Sequence, residues 1–262
     1  MVAEEVGELG DADRTSVARD AQAVASGLET GAGDGHDPLA ESFSEFARSV
    51  EIQNDPHATL VEIVRAAVDL IPGCDEGSVS VVIGRRKVTS EAASGPLPAA
   101  VDRLQEELRE GPCIDAAYLQ TTVRVSDMAL ETRWPRFSPR ALAAGAAGML
   151  SFQLYVEDDN LGALNLFSRV AGAFDDESAY IGRLFATHAA LAYAAARTEA
   201  TLTHTIETRE LIGQAQGILM ERHKITSDKA FAVLIGVSQQ KNMKLRDVAE
   251  QLVHSGALRD DA

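Results

Sequence analysis

Apolar residues recur at helical spacing through HATLVEIVRAAVDLI (57–71), placing Leu60, Ile63, Val64, Ala67, Val68 and Ile71 on one face until Pro72 and Gly73 stop it. A shorter helical pattern, PLAESFSEFARSV, starts at Pro38 and ends at the break NDP. Beyond residue 77 the period drops to two. SVSVVIG (78–84) and KVTSEAAS (87–94) read as a hairpin across the basic turn Gly84-Arg85-Arg86-Lys87, whose charges need only solvation. VDRLQEELREG returns to helix, TTVRVSD is a short strand, and RWPRFSPRALAAGAAG is a proline-interrupted helical region. MLSFQLYV (149–156) and LGALNLFS (161–168) are stronger strands, separated by EDDN, where Asp159 or Asn160 can supply the positive φ of a tight turn. Helices, five antiparallel strands and helices again predict an α+β domain of about 140 residues.

No proline interrupts the chain from Asp175 to Arg222, and Ile181, Leu184, His188, Leu191, Ala195, Thr198, Leu202, Thr205, Arg209 and Ile212 follow an approximate 3-4 spacing. This long helix is expected to connect two domains and to pair weakly with a second copy, with a break at the threonine-rich stretch Thr203 to Thr208. Three amphipathic patterns follow. The first sets Ile212, Ala215, Leu219 and the stem of Arg222 on one face, with Gly213, Gly217 and Met220 on another; the second has Ala230, Phe231, Leu234 and Val237 behind a Thr226 or Ser227 cap; the third has Leu245, Val248, Ala249 and Leu252. Three short helices of this kind can share one small core. GQAQG (213–217) is anomalous, because each glycine costs a helix about 1 kcal/mol relative to alanine. Close approach of a second helix, with Gly217 packing inside the three-helix unit, would compensate.

Charge alters how these elements are read. The chain carries a net −16, but residues 1–60 hold 13 acidic against 3 basic residues while residues 205–262 hold 8 of each. The tail is thus the section that does not repel a polyanion. Residues 1–37, acidic and ending in a glycine-rich cluster, read as a disordered leader that could shield the tail. No apolar run reaches membrane length and the start is acidic where a secretory signal is basic, which points to the cytoplasm. Cys74 and Cys113 lie far apart without a CxxC pair, giving neither a disulfide framework nor a zinc site.

Catalytic chemistry finds little footing. GxSxG, GxxxxGK[ST] and HExxH are absent; Asp158-Asp159 falls in a hairpin turn, and Asp175-Asp176-Glu177 sits where acids favour a helix start. Cys113 and Asp115 can face a pocket, yet no histidine neighbours them in sequence. We therefore expect neither an enzyme nor a cofactor.

EGPCIDAA (110–117), RWPRF (133–137), and LGALNLFS followed by FDDESAYIGRLFATHAALA resemble a GAF domain of the actinobacterial type, over about Pro38 to Ala196. The resemblance implies a sensory domain, answering to an unknown small molecule or protein signal, with Cys113, Asp115, Trp134 and Phe152 as candidate pocket residues. The tail IGQAQGILMERHKITSDKAFAVLIGVSQQKNMKLRDVAEQLV resembles the ANTAR domain, an RNA-binding antitermination module, through residues including Ala215, Gly217, Leu219, Ala230, Phe231, Leu234, Ser238, Asn242 and Ala249. This implies that a sensor-controlled homodimer binds paired hairpin loops in nascent RNA and prevents a terminator from forming. Gln239, Gln240, Lys241, Asn242, Lys244 and Arg246 gather at the turn between the last two helices, offering amides to bases and cations to phosphates; Gln216 and Arg222 complete the candidate RNA set. Basic residues usual in the family are replaced at Gln216, Ile235 and Gly236.

The expected organisation is a leader over 1–37, a GAF-like domain over 38–196, a connector helix over 197–208 and an ANTAR module over 209–262. Two alternatives stand beside it. A helix-turn-helix DNA regulator would need more base-reading and basic side chains than KLRDVAEQLVHSG provides. A scaffold whose ANTAR-like tail docks a protein would exploit the missing charges.

Overall fold

The computed structural model describes residues 38–257 except 54, 84–86, 120, 157 and 158. The acidic leader, the basic turn at Arg85 and Arg86, and Asp158 lie outside the described residues. The element order is α1 (Pro38–Glu51), α2 (Pro56–Leu70), β1 (Glu76–Ile83), β2 (Lys87–Ala93), α3 (Pro96–Leu108), α4 (Pro112–Tyr118), β3 (Thr122–Val125), α5 (Ser138–Ala144), β4 (Gly148–Val156), β5 (Asp159–Ser168), α6 (Asp176–His223), α7 (Ser227–Lys241) and α8 (Leu245–Ser255).

The five strands form one antiparallel sheet in the order β2-β1-β5-β4-β3. Successive side chains leave a strand on opposite faces, and pairing aligns these faces across the sheet: Ser78 with Asn165 and Asn165 with Ser151 on one, Val79 with Leu164 and Leu164 with Phe152 on the other. Helices cover both sides, which explains why β5 is buried almost throughout. On one face lie α2 and α6, where Phe46 of α1 also meets Phe185 with ring centroids 4.5 Å apart. A Cβ at Gly182 of α6 would come within 2.4 Å of the Phe152 ring, so here a helical glycine does permit close approach. The opposite face carries α3, α4 and α5 over Val101, Met149, Phe167, Trp134 and Phe137.

Val156 pairs with Asp159, which draws Asp159 and Asn160 into β5 instead of a positive-φ turn; among the described residues of this hairpin the left-handed backbone belongs to Gly162. Asp175 caps α6, its Oδ1 accepting the Ser178 amide at 2.9 Å, as the acidic start predicted. That helix continues for 48 residues with no break at Thr203 to Thr208. In and beside that stretch the Thr201 and Thr205 hydroxyls donate to carbonyls one turn earlier, those of Arg197 and Thr201, both at 2.8 Å, while Thr208 Oγ1 is buried without a bond.

The last three turns of α6 join α7 and α8 around Ala215, Leu219, Ala230, Leu234, Val248, Ala249 and Leu252. Several details depart from the expectations raised by sequence. Phe231 is 38% exposed and lies outside this core; Thr226 caps α7 through its backbone, with no side-chain bond. A methyl group placed on Gly213 or Gly217 would meet nothing within 4 Å, so neither glycine packs inside the module. The 3-4 seam also fails as a single exposed line, since Ile181 turns into the sheet domain and Ile212 into the three-helix core.

Candidate nucleic-acid interface and sensor core

At the α7–α8 junction the backbone reverses through Asn242, in the left-handed region at φ 50°, a conformation asparagine tolerates better than most residues. Ser238 locks the turn: its carbonyl accepts the Met243 amide at 3.1 Å and its hydroxyl donates to the Met243 carbonyl at 2.6 Å. The side chains of Gln239, Gln240, Asn242 and Lys244 are left exposed around it, with Lys241 and Arg246 half-buried alongside. The Arg246 Nε is buried and makes no hydrogen bond.

The other two residues of the expected RNA set are placed elsewhere and are engaged in holding the module together. Gln216 donates to the Ser227 carbonyl and hydroxyl at 3.3 and 3.2 Å, tying α6 to the start of α7. Arg222 donates to the Gly256 carbonyl at 2.5 Å, closing the end of α8. Lys224 is paired with Glu221.

In the sheet domain, the two short motifs are bonded to each other. Glu110 accepts the amides of Arg136 and Phe137 at 2.8 and 2.9 Å, and Asp115 accepts the Trp134 indole at 3.2 Å, while the Arg133 guanidinium covers that ring at 4.4 Å. Asp115 and Trp134 are thus brought together. Phe152 is not: the register puts it on the opposite face of the sheet against Gly182, so it shares no pocket with Cys113.

Cys113 belongs to a polar cluster that sequence reasoning missed. Asp102 of α3 is buried beneath the helix, accepting from Ser90 at 2.7 Å and facing the Asn165 amide at 3.5 Å. Asn165 also donates to Ser80 at 3.3 Å, and Gln105 accepts the Cys113 amide at 2.8 Å. Ser78 Oγ, Gln105 Nε2, Ser151 Oγ and Asn165 Oδ1 are buried without a well-formed bond. Burial pushes the Asp102 carboxyl up to about 6, opposed by the nearby Ser78, Ser90 and Gln105 side chains. Burial also pushes the Cys113 thiol up to about 12, with the Asp102 charge adding to the rise, so no thiolate forms at neutral pH. The signal available was serine on the inward positions of a strand, SVSVV, beside an asparagine at the matching position of LGALNLFS. Ser90 additionally lines a cavity of about 330 Å³ outside the cluster, over edge strand β2, with Thr89, Ala99, Arg103 and Glu106. Among the described residues no group of His, Cys, Asp and Glu is arranged to hold a metal, and no helix is long and apolar enough to cross a membrane.

A GAF domain family model matches residues 53–194 and an ANTAR domain model residues 200–253. The first spans more than half of the chain, which belongs to the GAF domain family and continues into an ANTAR domain. Joined in one chain, they are the parts of a signal-regulated ANTAR regulator. No curated protein matches by sequence. The fold is similar to the GAF domain from an Acinetobacter phosphoenolpyruvate-protein phosphotransferase (13% identity, 64% of this chain and 99% of that one, TM-score 0.52). It is also similar to a free methionine-R-sulfoxide reductase from Neisseria meningitidis (19%, 65% and 97%, 0.50) and to the photosensory core module of a Stigmatella aurantiaca phytochrome (11%, 84% and 48%, 0.54). At these identities the likeness is one of fold.

Proposed function

We propose that this chain is a one-component cytoplasmic regulator that binds paired hairpin loops in nascent RNA as a homodimer and promotes antitermination under control of its GAF domain. The observation that carries the reading is the ANTAR match over residues 200–253. The α7–α8 turn supports it, presenting the exposed amides of Gln239, Gln240 and Asn242 and the Lys244 ammonium, groups that read unstacked bases and phosphates. The GAF domain would take the signal, and the cavity over β2 is a candidate place for a small ligand, lined in part by Ser90, whose hydroxyl donates to the buried Asp102. No catalytic step belongs to this reading, and the buried, protonated Cys113 is in keeping with that.

Titrating full-length protein against a tandem-hairpin RNA, a scrambled RNA and duplex DNA over a salt series tests the proposal. Selective hairpin binding, weakened by Lys244→Glu and Arg246→Glu, is expected; each lost phosphate contact should flatten the salt slope by about 0.7 to 0.9. Absence of selectivity at low salt would overturn it, and preference for duplex DNA would favour the helix-turn-helix alternative. Exposed Phe231 and Val233 favour a second reading, in which the tail docks a protein.

A further inference from the structure

β2 ends the sheet on its side: its inner edge pairs with β1, and among the described residues no strand lies beside its outer edge. The cavity of about 330 Å³ runs along that outer edge, with the whole of Thr89 to Ala93 as one wall. Consecutive strand residues send their side chains to opposite faces, so a wall made of five in a row is the edge of the strand and not one of its faces. The other wall is one side of α3, where Ala99, Arg103 and Glu106 stand four and three residues apart. Only Ser94 and Gly95 separate the strand from the helix, and the Ser90 bond to Asp102 at 2.7 Å pins the helix back over the strand.

We propose that this groove takes an extended peptide segment of a partner protein, which adds a strand beside β2 and points a carboxylate at Arg103. The inference deepens the regulator reading by naming the signal the GAF domain receives, and it rests on that reading for its meaning. Backbone supplies the binding. About every second residue of an edge strand keeps its N–H and C=O turned outward and unpaired, and a strand laid about 4.8 Å away satisfies them.

The helix supplies the selection. Ala99 and Arg103 are four residues apart, ~6 Å along α3, and same-face residues of a strand are ~6.6 Å apart, so two alternate side chains of the peptide fall over these two positions. Ala99 leaves room for a branched apolar side chain. Arg103 is exposed and, among the described residues, makes no ion pair or hydrogen bond, whereas Glu106 already has a partner. An acid two residues from an apolar side chain therefore complements the groove, and a lysine at the same place is repelled. Shape selects a single short strand. The β1–β2 register skips Glu91, a bulge that bends β2, and α3 flanks the bend, which suits a peptide of a few residues better than the straight edge of another sheet.

The probe is an end-blocked hexapeptide, Thr-Val-Thr-Asp-Thr-Val, beside a version with lysine for the aspartate and two versions methylated on one or the other alternate set of backbone nitrogens. With full-length protein and saturating aspartate peptide, hydrogen exchange of the amides of residues 89–93 should slow on the order of 10-fold. Anisotropy of labelled copies should show the lysine peptide binding about 5-fold or more weakly, and Arg103→Glu, at an exposed position outside the core, should reverse that preference. One methylated set should be tolerated and the other should abolish binding. No slowing at millimolar peptide overturns the groove, indifference to both methylated sets overturns strand addition, and a preference unchanged by Arg103→Glu overturns the selection. The RNA titration is read separately: peptide addition by a protein that binds no RNA sinks the regulator reading alone, and selective RNA binding without peptide addition sinks this inference alone.

Discussion

Replacing Asp102 with asparagine should stabilise the GAF domain at neutral pH. The carboxyl is wholly buried, and its principal well-formed bond is accepted from Ser90; burial raises it from an ordinary value of 3.8 to about 6. A raised carboxyl means that the folded chain keeps a proton which the unfolded chain has released. Its contribution is therefore fully present below about pH 4, falls as pH rises through about 6, and is gone above. About two pH units at about 1.36 kcal/mol each give an ionisation penalty of roughly 3 kcal/mol at about pH 7.5. Asparagine never ionises and keeps an oxygen for the Ser90 hydroxyl, so the variant should recover most of that amount, raising the melting temperature by about 6 to 12 °C for a domain of this size. Urea unfolding followed by Trp134, the single tryptophan and a buried residue of this domain, provides the assay. The wild type should lose stability relative to the variant mainly between about pH 4 and about pH 6, with the two converging below that window and a constant difference above it. A variant no more stable at the neutral end, or an unchanged difference across that window, would refute the reasoning.

Gly182→Ala should destabilise the same domain by about 1 to 2 kcal/mol, the clash with the buried Phe152 ring outweighing the roughly 1 kcal/mol that alanine contributes to a helix; a stabilised variant in the same urea assay would show that the ring yields freely. Cys113 should resist alkylation by a neutral-pH thiol reagent in the folded protein and react once urea unfolds it, since its thiol is both buried and pushed up to about 12. Removal of residues 1–37 should tighten RNA binding at low salt and lose its effect at high salt, because the segment is strongly acidic; equal affinities at low salt would exclude electrostatic shielding.

Periodicity alone announced much of this architecture. Leu60 to Ile71 declared a helix face, the two-residue alternation through SVSVV declared β1, and Ala215, Leu219, Ala230, Leu234, Val248 and Ala249 declared a shared core. What stayed hidden were relations between distant segments. The Asp102 cluster needs α3 laid over a register that sets Ser78 opposite Asn165, and nothing local to PLPAAVDRLQEEL marks the aspartate as buried. Phe152 is sent to the α6 face by strand parity, whereas Cys113 lies on α4 over the opposite face, and neither placement is marked in the residues around it. The rule that a helical glycine signals close approach holds within the chain at Gly182, which nothing in its neighbouring residues singles out, and fails there at Gly213 and Gly217. Gln216 and Arg222 read as free polar residues because their partners, Ser227 and Gly256, lie across a turn or beyond two helices.

The unbroken passage of α6 from the Asp175 cap to the three-helix core makes the length of the intervening stretch an angular setting. One residue added between 197 and 210 would swing the C-terminal module by about 100° around the axis and push it about 1.5 Å outward, whereas eleven would restore its bearing to within about 20° at a greater reach. Linker length in such a chain is therefore tolerated in steps: insertions of whole turns preserve the hand that sensor and module show each other, and single-residue changes scramble it.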